Sequence, residues 1–488
     1  MRVGFGAAQP AVARTTRCSR VMAANSASCD GGWMRALVDA GQGHVLQHWD
    51  ALNEREKAVL RQDVERVDLQ RIERLFRTSM EGGHSTGKVE PVQEVFSYEK
   101  RSENECRLKE LGLQLIAEGK VAVILLAGGQ GTRLGSTKPK GCYDIGLPSG
   151  KSLFQLQAER IQRMQTIAAK HMGFEEVKCP IKWYIMTSSF TEEETRQFFV
   201  QHRFFGLEPS QVTFFSQGSL PCLTPEGKLI LATSSELAWA PDGNGGIYRA
   251  LKSSGCLEEM KREGIECIDC FSVDNALARV CDPVFLGACV EQNAECGARV
   301  LAKAYPEEKV GVFAICDGKL EVVEYSELPP SEAAATDPLT GQLRFNWSNI
   351  CMHFFTPAFL DRVCDTLEAQ GMYHVARKSI PSVDGPIPGV KLELFIFDSF
   401  PLAEHALLVE VKREDEFSPV KNAPGSAIDS PDTARASILA LHGRWIREAG
   451  GIPDGDGVEV SPLLSYAGEG LVDICSGQRI SNLSLVGP

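Results

Sequence analysis

Residues 121–140 read VAVILLAGGQGTRLGSTKPK, and this stretch decides the fold. Its first residues form a continuous apolar run rich in β-branched side chains, which is typical of a strand buried on both faces of a sheet. The glycines that follow expose backbone N–H groups and allow a polyanion or a flat base to approach the main chain. Arg133, Lys138 and Lys140 add cations to the same loop. The stretch therefore predicts a phosphate-binding loop at the end of a buried strand.

Two common phosphate-binding motifs do not match this loop. A dinucleotide fingerprint that begins at Gly129 would need its third glycine at position 134, where the chain has Leu134. The run Gly150-Lys-Ser152 ends like a P-loop, but the earlier glycine of that motif falls on Ile145. The sequence thus predicts a phosphate site of a third kind.

Further along the chain, short apolar runs alternate with segments of helical periodicity. This alternation is typical of an α/β fold, with a mostly parallel twisted sheet flanked by helices and ligands at the carboxyl ends of the strands. We divide the chain into a disordered leader or transit segment (1–40), a helical N-terminal region (41–117), a catalytic α/β domain (118–400) and a small β-rich C-terminal domain (401–488).

Composition narrows the classes of partner and compartment. The formal net charge of −13 argues against nucleic acid as a partner. No apolar run approaches the ~18 residues that a membrane span needs. Sixteen cysteines in 488 residues are too dilute for a disulfide framework. We expect a cytosolic monomer or homodimer, with an organelle as the alternative location because residues 1–29 carry arginines and no acid.

The glycine-rich loop resembles the nucleotide loop of nucleotidyltransferases that make nucleotide sugars. Gln130, Thr132 and the run KGCYD at 140–144 resemble in particular the eukaryotic UDP-N-acetylhexosamine pyrophosphorylases of the UDPGP type 1 family. The resemblance extends over about residues 45–475 and implies a Rossmann-like nucleotide-diphospho-sugar transferase fold. It is carried further by PDGNGGIYR at 241–249, SVDN at 272–275, VEYS at 323–326, NICMHFF at 349–355 and REDEFSPVKN at 413–422.

The activity that the resemblance implies is uridylyl transfer. UTP and N-acetylglucosamine 1-phosphate would give UDP-N-acetylglucosamine and pyrophosphate by in-line attack on the α-phosphate, with Mg²⁺ as cofactor and Mn²⁺ as an alternative ion. A phosphate that is already ionised at pH 7 needs no general base. Three alternatives stay open: a broad UDP-sugar pyrophosphorylase that also takes GalNAc 1-phosphate or hexose 1-phosphates, an inactive sugar-nucleotide-binding regulator, and a dinucleotide-dependent oxidoreductase.

The resemblance also assigns the nucleotide side of the site. Arg133, Lys140 and Lys391 are the implied catalytic cations, with Lys391 at the α-phosphate. Asp274 follows an apolar strand, a position suited to hold Mg²⁺ beside a triphosphate, although helix N-capping is the alternative role. The implied nucleotide contacts are Leu126, Ala127, Gly128, Gly129, Lys140, Gln217, Gly243, Asp274 and Lys391.

A second group of residues is implied to bind the sugar phosphate. Glu324 interrupts the apolar run of a predicted strand, which by itself hints at function. Phe395 and Phe397 alternate on one face of a predicted strand, where a core role is the alternative. Ser379 stands where relatives often have a second lysine, and we assign it no role. The implied sugar-phosphate contacts are Asn244, Glu324, Tyr325, Asn349, Phe395, Phe397 and Lys421.

Overall fold

The computed structural model describes residues 32–81, 88–98, 102–371, 373–455 and 457–481. Its helices are α1 (Gly32–Asp39), α2 (Glu54–Glu65), α3 (Leu69–Glu81), α4 (Glu103–Ala117), α5 (Leu153–His171), α6 (Glu192–Gln201), α7 (Ile247–Ser253), α8 (Cys256–Arg262), α9 (Pro283–Glu291), α10 (Pro330–Ala333), α11 (Pro357–Gln370), α12 (Arg413–Glu416), α13 (Pro431–Glu448) and α14 (Val472–Cys475).

The strands are β1 (Val89–Pro91), β2 (Val121–Leu126), β3 (Lys182–Thr187), β4 (Val212–Ser216), β5 (Ser219–Pro221), β6 (Trp239–Pro241), β7 (Cys267–Ser272), β8 (Cys296–Ala302), β9 (Val312–Cys316), β10 (Lys319–Val323), β11 (Trp347–Phe355), β12 (His374–Ile380), β13 (Ile387–Glu393), β14 (Ala406–Glu410), β15 (Ile452–Pro453) and β16 (Arg479–Ile480). Three short 3₁₀ helices, at Thr132–Leu134, Lys140–Cys142 and Ile396–Leu402, matter for the site.

Ten strands form the central sheet, in the order β1-β9-β11-β7-β2-β3-β4, with β10 on β9 and β8 between β11 and β14. Strands β7, β2, β3 and β4 are parallel neighbours, and β14 is parallel to β8. Strand β11 runs antiparallel to β7, β8 and β9, while β1 and β10 run antiparallel to β9. Most strands therefore point the same way, and the predicted mostly parallel α/β sheet is confirmed.

Strand β2 owes its central place to its apolar sequence, since all six of its residues are buried. Helix α5 begins at the N-cap Ser152, whose side chain accepts a hydrogen bond from the Gln155 N–H. The helix then packs Phe154, Ala158 and Ile161 into the same apolar cluster as the strand. The loop between β2 and α5 is thus fixed at both ends by buried elements.

The chain forms two compact units that are discontinuous along the sequence. The smaller comprises the described part of Met1–His84 with Ser219–Gly243 and Gln370–Leu394, and it contains the hairpins β5-β6 and β12-β13. The larger comprises the rest and contains the central sheet. Residues 219–243 and 370–394 lie inside the segment 118–400 predicted as one α/β domain, but they belong to the smaller unit. A division of the chain into consecutive segments does not predict such insertions.

The two ends of the chain differ in detail from the predicted segments. Helix α1 lies inside the predicted leader 1–40, and its Leu37 is fully buried, so ordered structure begins by Gly32. Residues 1–31 lie outside the described residues. In the C-terminal region the only strands described beyond β14 are the short parallel pair β15 and β16, which follow the 18-residue helix α13. The predicted β content there is thus one small sheet beside a long helix.

Among the described residues, no helix has the length and apolar character needed to cross a bilayer.

Histidine 442, on α13, predicts a pH dependence of stability. Burial lowers the pKa of His442 from 6.5 to about 3, and its Nδ1 accepts the Val460 N–H. The unfolded chain therefore takes up a proton below pH 6.5 that the folded chain excludes. We expect the free energy of unfolding to fall with decreasing pH across that window, by about 1.4 kcal/mol per pH unit for this one group.

Urea unfolding at several pH values between 5 and 7 measures this slope. The variant His442→Gln keeps an acceptor for the Val460 N–H but cannot take up the proton, so its slope should be smaller by that amount. An identical slope in both proteins would contradict the assignment.

Candidate active site

The carboxyl ends of four parallel strands meet at one edge of the central sheet. Strand β2 leads into the glycine-rich loop, β3 into Ser188, β4 into Gln217 and β7 into Asp274. Strand β11 begins at the same edge because it runs antiparallel to β7, with Met352 opposite Phe271. This is the edge at which α/β sheets bind ligands.

The glycine-rich loop is held to the sheet and to itself by backbone hydrogen bonds. The Ala127 N–H donates to the Met186 carbonyl, and the Lys140 N–H donates to the Gly129 carbonyl. Gly129 is exposed, and a Cβ added there would meet no atom within 4 Å, so its main chain faces open space. Arg133 is exposed on the 3₁₀ turn and has no ion-pair partner within the described ranges. The loop thus presents open backbone and a cation that is available to a ligand.

Gln217 stands directly over Gly128. Its N–H donates to the Thr187 carbonyl, which continues the β3–β4 pairing. A Cβ on Gly128 would lie 2.6 Å from the Gln217 Oε1, so only glycine admits the amide there. The Ser188 hydroxyl, which the sequence interpretation missed, donates to the Gly128 carbonyl at 2.9 Å and holds this glycine in place. An amide beside an open backbone can both donate to and accept from the edge of a flat base.

Asp274 brings the cations of two distant motifs together. Its Oδ2 lies 3.7 Å from the Lys140 Nζ, and its side chain is 16% exposed. Burial by itself would raise the pKa of Asp274, but Lys140, Lys421 and a hydrogen bond from Ser272 outweigh it and lower the pKa. The carboxylate is therefore ionised at neutral pH. The structure brings Lys140, Asp274 and Lys421 into one cluster.

Asn275, which is 1% exposed, holds the segments of this cluster together. Its Nδ2 donates to the Glu416 carbonyl, and its Oδ1 accepts the N–H of Ser418. The Val420 N–H then donates to the Asp274 carbonyl, which places Lys421 next to the carboxylate. The sequence showed Asn275 only as a neighbour of Asp274. The signal in the sequence is a polar amide close behind a buried strand. The structure adds that this amide is buried and fully hydrogen-bonded, which shows its role.

Two amides of the predicted sugar group also lie at this edge. Asn349 is on β11, and its N–H donates to the Gly311 carbonyl. The Asn244 Oδ1 accepts the Ile396 N–H at 3.0 Å, and its Nδ2 lies 3.9 Å from the Cys351 Sγ. Asp274 and Lys421 both act electrostatically on the Cys351 thiol, whose pKa burial raises to about 12. Cys351 therefore lies close both to Asn244 and to the charged cluster.

The prediction that Glu324 interrupts a strand is wrong. Strand β10 ends at Val323, and Glu324 is the first residue beyond it, because its N–H turns to the Glu327 carboxylate instead of continuing the ladder. The Glu324 carboxylate still reaches the site edge, since its Oε1 would lie 3.0 Å from a Cβ on Gly311. Tyr325 is 48% exposed and lines an adjoining surface hollow with Lys309 and Leu328.

The prediction that Phe395 and Phe397 share a strand face is also wrong. Strand β13 ends at Glu393, and Phe395 is the N-cap of the 3₁₀ helix that follows. The chain turns there because the Phe395 N–H donates to the Asp398 carboxylate. The two rings nevertheless pack together, with centroids 5.1 Å apart. They belong with Asn244, which bonds the intervening Ile396.

Lys391 and Gly243 lie in the smaller unit. Lys391 is on β13 opposite Ala376. Burial raises the pKa of the Cys222 thiol, and the nearby Lys391 ammonium lowers that pKa by a smaller amount. Gly243 has a φ of +90°, and a Cβ there would lie 2.3 Å from the Leu394 carbonyl, so no other residue fits. The roles of both residues at the nucleotide stay predictions.

Metal-ligating side chains are sparse at this edge. Across the part of the chain that is described, no group of three or more His, Cys, Asp or Glu side chains is placed to hold a metal ion. Asp274 offers a carboxylate next to Lys140 and Lys421. Such a donor set suits a hard cation only when phosphate oxygens and waters supply the other ligands.

A family model with the description UTP–glucose-1-phosphate uridylyltransferase (UDPGP) matches residues 70–428. The chain belongs to this family. The match spans the glycine-rich loop, Asp274 and Lys421, so the predicted family is confirmed.

Individual relatives share nearly the full length of the chain. UDP-N-acetylglucosamine diphosphorylase 2 of Arabidopsis thaliana is 52% identical over 456 residues, which are 91% of each chain. UDP-N-acetylglucosamine pyrophosphorylase of Saccharomyces cerevisiae is 40% identical, over 89% of this chain and 95% of the yeast protein. The crystal structure of the uridine diphosphate N-acetylglucosamine pyrophosphorylase from Trypanosoma brucei has a TM-score of 0.82 at 33% identity, and covers 92% of this chain and 95% of its own.

The contact between Gly128 and Gln217 gives a testable prediction. In Gly128→Ala the new methyl group displaces the Gln217 amide, which is the flexible end of its side chain. We expect the fold to survive and the predicted contact of this amide with the base to be lost. We expect the KM for UTP to rise at least ~10-fold, the scale of one lost hydrogen bond of about 1.4 kcal/mol.

Steady-state kinetics and thermal melts of the purified variant test this. Gly457→Ala is the matched control, because a Cβ at Gly457 meets no atom within 4 Å. A wild-type KM for UTP in Gly128→Ala would show that the Gln217 amide does not read the base.

Proposed function

We propose that this protein is a uridylyltransferase that forms UDP-N-acetylglucosamine and pyrophosphate from UTP and N-acetylglucosamine 1-phosphate. The observation that carries the proposal is the Lys140–Asp274–Lys421 cluster beside the glycine-rich loop at the carboxyl edge of β2 and β7. It supplies the cations that two phosphorylated substrates need, in a chain that is acidic overall. The names of the relatives from Arabidopsis and yeast support the same substrates.

The reaction joins two anions, so the protein's task is to position them and to neutralise charge. An oxygen of the sugar phosphate attacks the α-phosphorus of UTP, the bond to the bridging oxygen breaks, and pyrophosphate leaves. Arg133 and Lys140 contact the triphosphate, and Lys421 contacts the sugar phosphate. Arg133 offers a planar fork for two oxygens, whereas each lysine acts as a point charge. Lys391 is assigned to the α-phosphate by the resemblance alone.

Asp274 would hold a Mg²⁺ ion, with Mn²⁺ as the alternative. When bound, the ion neutralises phosphate charge and orients the leaving group. The residues fit this role, because the two lysines keep the carboxylate ionised despite its burial. One protein carboxylate is sufficient where substrate phosphates complete the coordination.

The sugar is chosen by the amides of Asn244 and Asn349, the Glu324 carboxylate and the Phe395–Phe397 pair. Carboxylates and amides bond hydroxyls, while aromatic rings pack against an acetamido methyl group. The broad-specificity alternative is a UDP-sugar pyrophosphorylase that also takes GalNAc 1-phosphate or hexose 1-phosphates. It uses the same cations and differs in how strictly these residues discriminate between sugars.

The partners that we propose are therefore small molecules, bound by a cytosolic monomer or homodimer. The thiols support a reducing compartment, since every cysteine in the described residues is free and most are buried.

Removal of the Asp274 carboxylate tests the proposed metal role. In Asp274→Asn the amide keeps the shape of the side chain but loses its charge, so we expect kcat with Mg²⁺ to fall by at least ~100-fold. Asp473→Asn, at an exposed position on α14, is the control and should keep normal activity. Wild-type kcat at ordinary Mg²⁺ concentrations in Asp274→Asn would exclude the carboxylate as the metal ligand.

The assay that tests the function measures pyrophosphate release from UTP with a panel of sugar 1-phosphates. We expect kcat/KM for N-acetylglucosamine 1-phosphate to exceed that for glucose 1-phosphate by at least ~100-fold, since the glucose compound leaves the acetamido contacts unmade. Equal values would favour the broad-specificity enzyme. Release with none of the sugars would contradict the proposal and favour a regulator.

A further inference from the structure

Strand β11 contains a bulge at the edge of the proposed sugar site. Its register against β8 shifts between Asn349 and His353. Within the bulge Cys351 has a φ of +55°, a left-handed conformation that is rare for a residue other than glycine. Such a conformation persists only where the surrounding structure enforces it, and it is frequent at functional sites.

The bulge joins two side chains that a regular strand would keep apart. Four residues of extended strand span about 13 Å, so Asn349 and His353 would share a face without touching. Here the His353 Nε2 lies 3.1 Å from the Asn349 Oδ1. The Cys351 N–H donates to the same oxygen at 3.0 Å.

These two contacts determine which way the Asn349 amide faces. The backbone N–H of Cys351 is only a donor, so the amide atom that meets it is the oxygen. His353 therefore also meets that oxygen as a donor and carries its proton on Nε2. The imidazole is fully buried among Phe355 and Phe400, and burial lowers its pKa to about 3, so it stays neutral.

We propose that His353 is a positioning residue that holds the Asn349 amide as a hydrogen-bond donor to the sugar phosphate. With its oxygen occupied twice, Asn349 can offer a ligand only its Nδ2 hydrogens, and this nitrogen has no hydrogen-bond partner within the described residues. Asn244 is oriented alike, because its oxygen accepts the Ile396 N–H. Its Nδ2 points toward Cys351.

Both amides thus contact Cys351, Asn349 through its oxygen and Asn244 through its nitrogen, and the amide hydrogens that they can offer a ligand call for acceptors. The carbonyl of an acetamido group and the oxygens of sugar hydroxyls are acceptors of this kind. The inference rests on the proposed function and deepens it, since it gives the two amides the same donor role and explains why a buried histidine lies four residues after one of them.

His353→Phe tests the inference, because the ring is kept and the Nε2 donor is lost. We expect the KM for N-acetylglucosamine 1-phosphate to rise by roughly 3- to 10-fold, the value of one neutral hydrogen bond, while the KM for UTP changes less than twofold. His353→Gln restores a donor and should recover part of the loss. In an Asn349→Ala background, His353→Phe should cause no further rise.

Two results would overturn the inference. One is an unchanged sugar-phosphate KM in a folded His353→Phe variant. The other is an equal rise in the Asn349→Ala background, because His353 would then act on the structure in general and not through Asn349. If His353→Phe does not fold, Asn349→Asp serves instead: it keeps the accepting oxygen and turns the donor into an acceptor, so a wild-type KM in that variant would also overturn the inference.

The tautomer of His353 can be read without any activity. In protein labelled with ¹⁵N-histidine, the signal that disappears in His353→Gln should show the proton on Nε2, and a proton on Nδ1 would contradict the inference. This spectrum tests the role of His353 separately from the proposed function. Absence of all UTP turnover would reject the proposed function, whereas the tautomer of His353 would still be decided by the spectrum.

Discussion

The contact between the Lys140 ammonium and the Asp274 carboxylate is the interaction on which the rest of the site depends. The chain carries a formal net charge of −13, so a polyanionic substrate meets a repulsive surface unless cations are gathered locally. Asp274 gathers them, because Lys140 lies 3.7 Å away and Lys421 acts on the same carboxylate. A substrate phosphate that enters the cluster replaces the Asp274 carboxylate as partner of the lysines, and a metal ion replaces the lysines as partner of the carboxylate.

A buried ionic network holds together the two segments that carry Asp274 and Lys421. Arg299, fully buried, lies 2.9 Å from the Glu416 carboxylate and 3.5 Å from that of Asp269 on β7. The Glu416 carbonyl in turn accepts from the Asn275 amide. Burial raises the pKa of Asp269 to about 6, against the opposing effect of Arg299. A buried pair of this kind is costly to break, since either partner alone is left as an uncompensated charge.

The local structure around the glycine-rich loop is predicted well from the sequence, and that of the segments around Glu324 and Phe395 less well. The burial of β2 follows from its continuous apolar run, and the loop follows from its glycines and cations, because both signals are local. The failed predictions at Glu324 and at Phe395–Phe397 have another cause. There a side-chain carboxylate, of Glu327 or Asp398, captures a backbone N–H and ends the strand earlier than the apolar pattern suggests.

Other features depend on tertiary context that no local pattern contains. The bulge at Cys351 forms against β8, where Asn349 pairs with Val300 and His353 with Ala298. Asn275 contacts Met352, which is 77 residues away in the sequence. The excursions at 219–243 and 370–394 are equally invisible in periodicity, because the same strand and turn signals occur in both units. The family resemblance identified the site motifs in the sequence. The structure shows which contacts hold the motifs of the larger unit in place.

The central claim is that this edge of the sheet aligns the two substrates for direct transfer, with no nucleophile supplied by the protein. The stereochemical course at the α-phosphorus tests it most directly. UTP that carries a single sulfur stereoisomer at the α-phosphate is converted with N-acetylglucosamine 1-phosphate, and the configuration of the UDP-sugar product is determined. Direct in-line attack predicts inversion. Retention would mean that a residue of the protein is uridylylated first, and it would contradict this account.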